Sequence, residues 1–310
     1  MRIIFLGTPD FAVPILETLA KNALESPTYK IVAVVTAPDK PAGRGQKLTP
    51  PPIKEVALRY NIPVLQPEKL KDTAFLDELR SYQADLQIIV AFRMLPEAVW
   101  NMPRLGTFNL HASLLPQYRG AAPINWAIIN GEVETGITTF FLKQEIDTGN
   151  IIFQEHEPIL ADDNVGKLYD RLKHKSADLV LHTLRAIQAG KYPQIPQDLS
   201  KPATPAPKIF RETCEIHWRC HTTVEIHNLV RGLAPHPSAW GIIAGKPYKI
   251  AETSLTIAVS QADFKEVDYV TDNKSYLLLA TANGWISIEQ IQPEGKKVMP
   301  IQAFLAGTKF

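Results

Sequence analysis

Short apolar runs alternate with amphipathic stretches through the first half of the chain. The runs that predict strands are residues 2–6, 31–36, 86–92, 106–113, 137–142 and 151–156. The stretches that predict helices extend from the first turn to about Lys21, over residues 52–60 and over residues 163–189. Because the strands are apolar on both faces and alternate with helices, the pattern predicts an α/β fold with a doubly wound, mostly parallel sheet.

The pattern changes after Gly190. Residues 190–207 contain five prolines, and such a composition predicts an extended, semi-rigid linker. From residue 208 onward, short strands and turns alternate around one helix near residues 222–232, which is typical of a small β-barrel or sandwich. The sequence therefore predicts a first domain at residues 1–189, a linker at residues 190–207 and a second domain at residues 208–310.

Composition and charge are those of an ordinary globular protein. The chain has 310 residues, of which 45% are apolar and 21% are charged, and its net charge is +1. No overall field therefore favours nucleic acid or a membrane surface. No apolar run approaches the ~18 residues of a membrane span, and the start of the chain does not resemble a signal peptide. With two cysteines and no disulfide framework, we expect a cytoplasmic protein without a membrane partner.

The first predicted strand–helix turn does not carry a nucleotide fingerprint. Gly7-Thr8-Pro9 offers one glycine, whereas a dinucleotide-binding turn uses three in G-x-G-x-x-G. The phosphate-binding pattern G-x-x-x-x-G-K-[ST] does not occur in the sequence. These observations disfavour a nicotinamide dehydrogenase and an enzyme that uses a nucleoside triphosphate.

Two polar residues interrupt the apolar run at residues 106–113. Asn109 and His111 are two positions apart, so they project from the same side of a strand. Pro116 soon ends regular pairing, which places both residues near a carboxyl end, where doubly wound sheets bind ligands. An amide and an imidazole there suit stabilisation of an oxyanion. A core Asn and His that cap a loop explain the pattern equally well.

A carboxylate follows some thirty residues later, in the segment EIDTGNI. Asp147 lies between two predicted strands, where it could orient the imidazole or move a proton. Asp also starts many turns for local reasons, and taken alone Asp147 favours that simpler interpretation.

The combination N-x-H-x-S-L-L-P-x-x-R-G followed by D-T-G resembles the folate-dependent formyltransferases. The segments FLGTPDFAVPILETL, APDKPAGRGQKLTPPPIKEVA and APINWAIINGEVETGITTF are also similar to that family, and the likeness extends over essentially all 310 residues. The resemblance implies a Rossmann-like catalytic domain followed by a small C-terminal β-barrel similar to an oligonucleotide-binding (OB-like) fold.

The resemblance also implies roles for individual residues. Asn109 and His111 would hold the formyl carbonyl of 10-formyltetrahydrofolate, and Asp147 would organise that pair. The residues implied to line the folate site are Ser113, Leu114, Leu115 and Pro116. Relatives often carry Tyr-Gly where this chain has Phe92 and Arg93, in a loop that should border the pteridine pocket. No metal is implied.

A basic loop narrows the resemblance to the members that act on tRNA. Its cations are Lys40, Arg44, Lys47 and Lys54. Glycines flank Arg44, so the loop tip is expected to be flexible, as suits phosphate contact. A solvated surface loop has the same composition in an arbitrary protein. The resemblance implies that Lys40, Arg44 and Lys47 bind tRNA, that initiator methionyl-tRNA accepts the formyl group, and that the protein is a monomer.

Three alternatives remain open at this stage. The same N-x-H…D core occurs in hydrolases of formyltetrahydrofolate and in formyltransferases that act on amino sugars. An RNA-binding module with an inactive enzyme core is a third possibility.

The cluster Cys214-x-x-His217-x-x-Cys220-His221 could suggest a zinc site. Its surroundings read as a strand, however, and strand alternation would place Cys214 and His217 on opposite faces.

Overall fold

The structure is a computed structural model that describes residues 1–42, 46–145, 147–198, 200, 202–255 and 265–309. These residues form two compact units. The first unit comprises Met1–Arg119, Gly136–Glu157 and Tyr169–Pro205. The second comprises Gly120–Thr135, Pro158–Leu168 and the described residues from Ala206 onward.

Strands and helices alternate along the chain up to residue 206. The strands are β1 (Arg2–Gly7), β2 (Lys30–Val35), β3 (Lys40–Ala42), β4 (Lys47–Thr49), β5 (Val64–Leu65), β6 (Leu86–Val90), β7 (Thr107–His111), β8 (Arg119–Gly120), β9 (Glu134–Phe141), β10 (Ile151–Pro158) and β11 (Pro205–Ala206). The helices are α1 (Val13–Glu25), α2 (Pro52–Arg59), α3 (Thr73–Ser81), α4 (Glu97–Trp100), α5 (Pro123–Ile129) and α6 (Val165–Gln188).

The main sheet has the strand order β10-β9-β7-β6-β1-β2-β5. Strand β1 runs parallel to β2 and β6, β6 runs parallel to β7, and β9 is antiparallel to β7. The predicted mostly parallel sheet is thus confirmed. The chain builds outward from β1 to β2 and β5, then returns to add β6 and β7 on the other side of β1. The carboxyl ends of β1 and β6 therefore flank a topological switch point, the usual ligand position in such sheets.

Helices cover both faces of this sheet. Ile4 and Leu6 of β1 share a buried cluster with Phe75 and Leu79 of α3. The alternate β1 residues, including Phe5, point to the opposite face and are also fully buried. Each fully buried large apolar side chain contributes roughly 1.5–3 kcal/mol. The apolar strand pattern therefore has the predicted cause, a sheet enclosed on both sides.

The described residues between 190 and 205 pack along the first unit through specific hydrogen bonds. Ile195 forms an antiparallel bridge with Ile151, and the Tyr118 N–H donates to the Thr204 carbonyl at 2.7 Å. Pro205 is the last residue of that unit. Proline content indicates an extended backbone, and these partners lie far away in sequence, so composition alone does not reveal them. The division at residues 189 and 208 remains a proposal.

The second unit contains an antiparallel sheet with the order β12-β13-β16-β15-β14, and β17 pairs with β16. Its strands are β12 (Ala239–Ile243), β13 (Lys246–Ser254), β14 (Tyr269–Thr271), β15 (Leu277–Ala280), β16 (Trp285–Gln292) and β17 (Met299–Pro300). Helices α7 (Thr223–Leu233) and α8 (Ile301–Leu305) share its buried core. Irregular pairing along β13 is of the kind that increases strand twist. The curled antiparallel sheet is consistent with the expected small OB-like β-barrel domain.

The strand predicted around residues 214–220 is wrong. Glu212–Cys214 forms a 3₁₀ helix, and residues 218–220 form a turn. Local backbone bonds, such as that from the Cys214 N–H to the Arg211 carbonyl, replace most strand pairing there, and a single parallel bridge between Glu215 and Trp240 remains. Among the helices of the described residues, none has both the length and the apolar character needed to cross a membrane.

Candidate active site

The two polar residues of β7 lie at its carboxyl end, beside the switch point. Asn109 pairs with Ile89 of β6 on one side and with Phe140 of β9 on the other. His111 is the last residue of β7 and pairs with Thr138. Because alternate residues of a strand share a face, the Asn109 and His111 side chains project in the same direction, as the sequence predicts.

The His111 ring is buried, with 7% of the residue exposed. Its Nε2 atom lies 2.8 Å from the Tyr118 carbonyl oxygen. A carbonyl oxygen accepts hydrogen bonds only, so we assign the hydrogen of the ring to Nε2. The Nδ1 atom is then left for chemistry, and it faces Asp147.

The Asp147 carboxylate lies 3.9 Å from His111, measured from Oδ2 to Nδ1. This distance is longer than a direct N–H···O hydrogen bond. An opposite charge within about 4–6 Å nevertheless stabilises a protonated imidazole. The arrangement can therefore support an imidazolium that forms during a reaction.

The Asn109 side chain is half-buried. Its amide makes no hydrogen bond with any residue in the described part of the chain, so its donors can serve a bound molecule. The amide and the imidazole share one face of β7, and the carboxylate lies 3.9 Å from the Nδ1 atom of the imidazole. Such a set can stabilise negative charge that develops on a carbonyl oxygen.

The turn after β7 holds this arrangement in place. The Ser113 hydroxyl is fully buried and donates to the Gln117 carbonyl at 2.6 Å. The Leu115 N–H donates to the Thr138 hydroxyl at 3.2 Å, and its side chain is also buried. Only Leu114 and Pro116 of the predicted folate segment remain partly exposed. The turn thus positions the Tyr118 carbonyl that His111 requires.

A cavity of about 550 Å³ opens at the carboxyl ends of β1, β2 and β6. Val90 pairs with Leu110, so Ala91 in the cavity wall follows β6 where His111 ends β7. Neighbouring strands lie about 4.8 Å apart, which places the cavity one strand away from the polar pair. Its lining residues are Thr8, Pro9, Ala37, Pro38, Lys40, Glu68, Ala91, Phe92 and Arg93.

Residues 1–184 match the family described as formyl transferase, and residues 208–309 match the formyl transferase C-terminal domain. The chain belongs to the formyltransferase family. Curated relatives share about half of its residues over nearly their full length. The methionyl-tRNA formyltransferase of Bacteroides fragilis is 49% identical over 315 residues, covering 99% of this chain and 95% of that protein. That of Parabacteroides distasonis is 50% identical over 321 residues, covering 100% and 96%.

Solved structures share the fold at lower identity. A sugar 3N-formyl transferase solved with dTDP and 5-N-formyl-THF superposes with a TM-score of 0.66 at 22% identity, covering 96% of this chain and 99% of that one. HypX from Aquifex aeolicus, solved with tetrahydrofolic acid, superposes with a TM-score of 0.62 at 20% identity, covering 99% and 47%. At these identities the likeness establishes the formyltransferase fold alone.

Arg93 forms part of the cavity wall in this formyltransferase. Its guanidinium donates to the Glu68 carbonyl at 2.8 Å and to the Pro67 carbonyl, and it lies 5.8 Å from the Phe92 ring centroid. A glycine at this position could make none of these side-chain contacts. Arg93 stands where relatives often carry glycine, and it holds the backbone of residues 67–68 in place. Phe92 stands where they carry tyrosine and keeps an aromatic ring in the cavity lining.

The first strand–helix turn is fixed by a half-buried tyrosine and a lysine of α6. The Asp10 carboxylate accepts from the Tyr169 hydroxyl at 2.7 Å and from Lys173 Nζ at 2.8 Å. Burial raises the pKa of Asp10, but these two hydrogen bonds and the Lys173 charge outweigh it and lower the pKa below its ordinary value. The contacts hold the cavity wall at Thr8 and Pro9.

The basic loop forms a two-stranded ribbon. Lys40 pairs with Thr49 and Ala42 pairs with Lys47, so Lys40 and Lys47 project from the same face of the ribbon. Both lysines are exposed. Arg44, the residue predicted at the tip, lies outside the described residues.

Lys54 differs from the other cations of the loop. Its Nζ lies 2.7 Å from the Asp39 carboxylate, and hydrogen bonds from Gln66 and Lys54 lower the pKa of Asp39. Lys54 therefore neutralises Asp39 and braces the base of the ribbon.

Two residues near Asp147 have no counterpart among the sequence-based predictions. Arg119 and Gln197 both donate to the Asp147 carbonyl oxygen. Arg119 belongs to the quoted motif, but the motif assigns it no role. Gln197 lies in the proline-rich segment, where nothing in the local sequence distinguishes it.

Proposed function

We propose that the protein transfers the formyl group of 10-formyltetrahydrofolate to the amino group of methionine on initiator methionyl-tRNA. The observation that carries the proposal is the set of Asn109, His111 and Asp147 at the end of β7, one strand away from a large cavity. An amide, an imidazole with a committed Nε2 and a nearby carboxylate suit acyl transfer. The names of the full-length relatives indicate the acceptor.

In the proposed reaction, the methionyl amine attacks the formyl carbon and the carbonyl electrons move to its oxygen. The amine passes one proton to His111 Nδ1, and the Asn109 amide and the resulting Nδ1–H stabilise this oxyanion. The tetrahedral intermediate then collapses and expels the folate nitrogen, which takes up the proton that the amine loses. Asp147 stabilises the imidazolium form of His111 while that proton moves.

The folate donor is proposed to lie against Phe92 and Arg93 of the cavity and against the segment Ser113–Pro116. Phe92 offers a ring face to the pteridine. Of the segment, Leu114 and Pro116 keep exposed surface, so they supply the direct contacts. Ser113 and Leu115 are buried and act by holding the turn.

The tRNA is proposed to bind to the ribbon through Lys40, Lys47 and Arg44. Two lysines on one exposed face suit successive phosphates of a nucleic-acid backbone. Lys40 also lines the cavity, so the ribbon leads to the place where the aminoacylated end of the tRNA must react. We place the reaction in the cytoplasm, with a monomer as the active species.

One assay separates this function from its alternatives. The purified protein is incubated with 10-formyltetrahydrofolate and either initiator methionyl-tRNA, a nucleotide-linked amino sugar or no acceptor. Formyl-methionyl-tRNA is expected with the first acceptor only. Formate release without acceptor would indicate a hydrolase, formylation of the sugar would indicate a sugar enzyme, and tRNA binding without turnover would indicate a binding module.

A further inference from the structure

The backbone of Asp147 is held by two side chains from distant parts of the chain. Its carbonyl oxygen accepts from Arg119 Nε at 3.1 Å and from Gln197 Nε2 at 2.8 Å. Gln197 Nε2 also donates to the Gly149 carbonyl at 2.8 Å, and Gln197 Oε1 accepts from Arg119 Nη2 at 2.6 Å. The two side chains thus bind each other and the loop together.

The loop they bind has an unusual backbone conformation. Asp147 has a φ of 53°, in the left-handed region that a non-glycine residue adopts only when its surroundings hold it there. A Cβ on Gly149 would lie 1.5 Å from the Phe141 carbonyl oxygen, so the loop passes directly against β9. Gln197 is only 9% exposed, which shields its hydrogen bonds from competing water.

The same stretch of chain also holds His111. Tyr118, which accepts from His111 Nε2 at 2.8 Å, directly precedes Arg119. The Tyr118-Arg119 dipeptide therefore binds the His111 imidazole through the Tyr118 carbonyl and the Asp147 backbone through the Arg119 side chain. The separation of 3.9 Å between His111 and Asp147 depends on both contacts.

We propose that Arg119 and Gln197 are positioning residues for formyl transfer, which set the placement of the Asp147 carboxylate relative to His111. The inference rests on the proposed function, because that function gives the carboxylate its role. Neither side chain needs to touch a substrate.

The proposal has a consequence beyond stability. The proposed reaction passes a proton through His111 beside the Asp147 carboxylate, so a displaced carboxylate should change how the rate depends on pH. Misplacement of a catalytic group by about 1 Å can lower a rate by about 10²-fold. Substrate affinities depend on other residues and should change little.

Two variants test the proposal without changing net charge. Gln197→Met keeps the size of the side chain but removes the donor and the acceptor. Arg119→Lys keeps the positive charge but loses the two-pronged contact with the Asp147 carbonyl and Gln197, and it remains informative if Gln197→Met folds poorly. Gln188→Met is the matched control, since Gln188 Nε2 donates to the Thr28 carbonyl at 3.2 Å elsewhere in the same unit.

Steady-state kinetics across pH and thermal unfolding are measured for these variants beside His111→Ala. We expect Gln197→Met and Arg119→Lys to lower kcat about tenfold or more, with a displaced pH–rate profile and little change in either KM. Gln188→Met should match the parent in kcat and pH profile. A parental kcat in both test variants, or a lowered kcat with a parental pH profile, would overturn the positioning role.

The His111→Ala variant separates the two levels of inference. If it is inactive while Gln197→Met and Arg119→Lys behave like the parent, the proposed function stands and the positioning role fails. If His111→Ala turns over like the parent, the proposed use of His111 and Asp147 fails, and the positioning role fails with it.

Discussion

His111 donates its Nε2–H to the Tyr118 carbonyl oxygen at 2.8 Å, and this bond determines which ring nitrogen faces the reaction. Because Nε2 is hydrogen-bonded to this carbonyl, Nδ1 is the ring nitrogen that can exchange a proton and then stabilise an oxyanion. A histidine that merely filled the core would not need Asp147 opposite its other nitrogen. The pairing therefore favours a chemical role over the structural alternative raised by the sequence.

The first prediction follows from that role. His111→Ala should lower kcat by about 10²–10³-fold, because an oxyanion donor acts mainly in the transition state. KM for folate and for methionyl-tRNA should change much less. Steady-state kinetics with circular dichroism as a folding control check this expectation. Near-parental turnover in a folded variant would remove His111 from the mechanism.

The second prediction concerns the charge of Asp147. Asp147→Asn keeps the shape of the side chain but removes the negative charge 3.9 Å from His111 Nδ1. The imidazolium then loses its stabilising partner, so kcat should fall at least about tenfold and the pH–rate profile should move. An unchanged profile in the variant would contradict the proposed role.

The sequence predicted part of the candidate site because its signals are local. The spacing of Asn109 and His111 places them on one face of any strand, and the structure confirms that geometry. Asp147 is a candidate from its place between two predicted strands, and only the family resemblance favours a chemical role over a simple turn. Folding brings it within 3.9 Å of His111. Gln197 lies fifty positions further along the chain, in a segment whose prolines indicate a linker, and no periodicity marks it.

The fold was predictable where burial imposes a pattern. Strands enclosed on both faces are mostly apolar. β1 and β2 follow that rule after their first residues, whereas β6 carries the buried Gln87 among apolar neighbours. The prediction failed around Cys214, because the alternating polarity of residues 215–220 also suits a single bridge at Glu215 followed by a turn. The sequence also did not predict the ion pair between Lys54 and Asp39, because a count of the cations in a loop does not show which of them has an acidic partner.

The third prediction concerns acid stability. Since the pKa of Asp10 in the folded protein is lowered from its ordinary value of 3.8, Asp10 contributes stability above that value. The contribution disappears as the pH falls through the lowered pKa. Asp10→Asn should therefore lose less thermal stability than the parent between about pH 7 and about pH 3.

The size of this difference should be on the order of 1–3 °C, because exposed ion pairs contribute little. Thermal unfolding across pH measures it directly. Tyr169→Phe keeps the Lys173 contact and should give an intermediate result. An Asp10→Asn variant with the same pH dependence as the parent would show that the contacts with Tyr169 and Lys173 do not stabilise the folded state.

The last prediction concerns the ribbon and separates its two lysines. Both lysines are exposed on one face of the ribbon. Lys40 also lines the cavity, whereas Lys47 is not among the lining residues. Lys47→Ala should raise KM for methionyl-tRNA several-fold and leave folate kinetics unchanged, and Lys40→Ala should raise KM for both substrates.

Arg44→Ala should weaken use of the tRNA by about tenfold, if the tip contacts phosphate or a groove as the sequence predicts. Each lost phosphate contact should reduce the slope of log K for tRNA binding against log salt by about 0.7–0.9. Lys21→Ala, which removes an exposed cation of α1, is the control and should leave that slope unchanged. Equal slopes for the parent, Lys47→Ala and Arg44→Ala would place the RNA contact elsewhere on the protein.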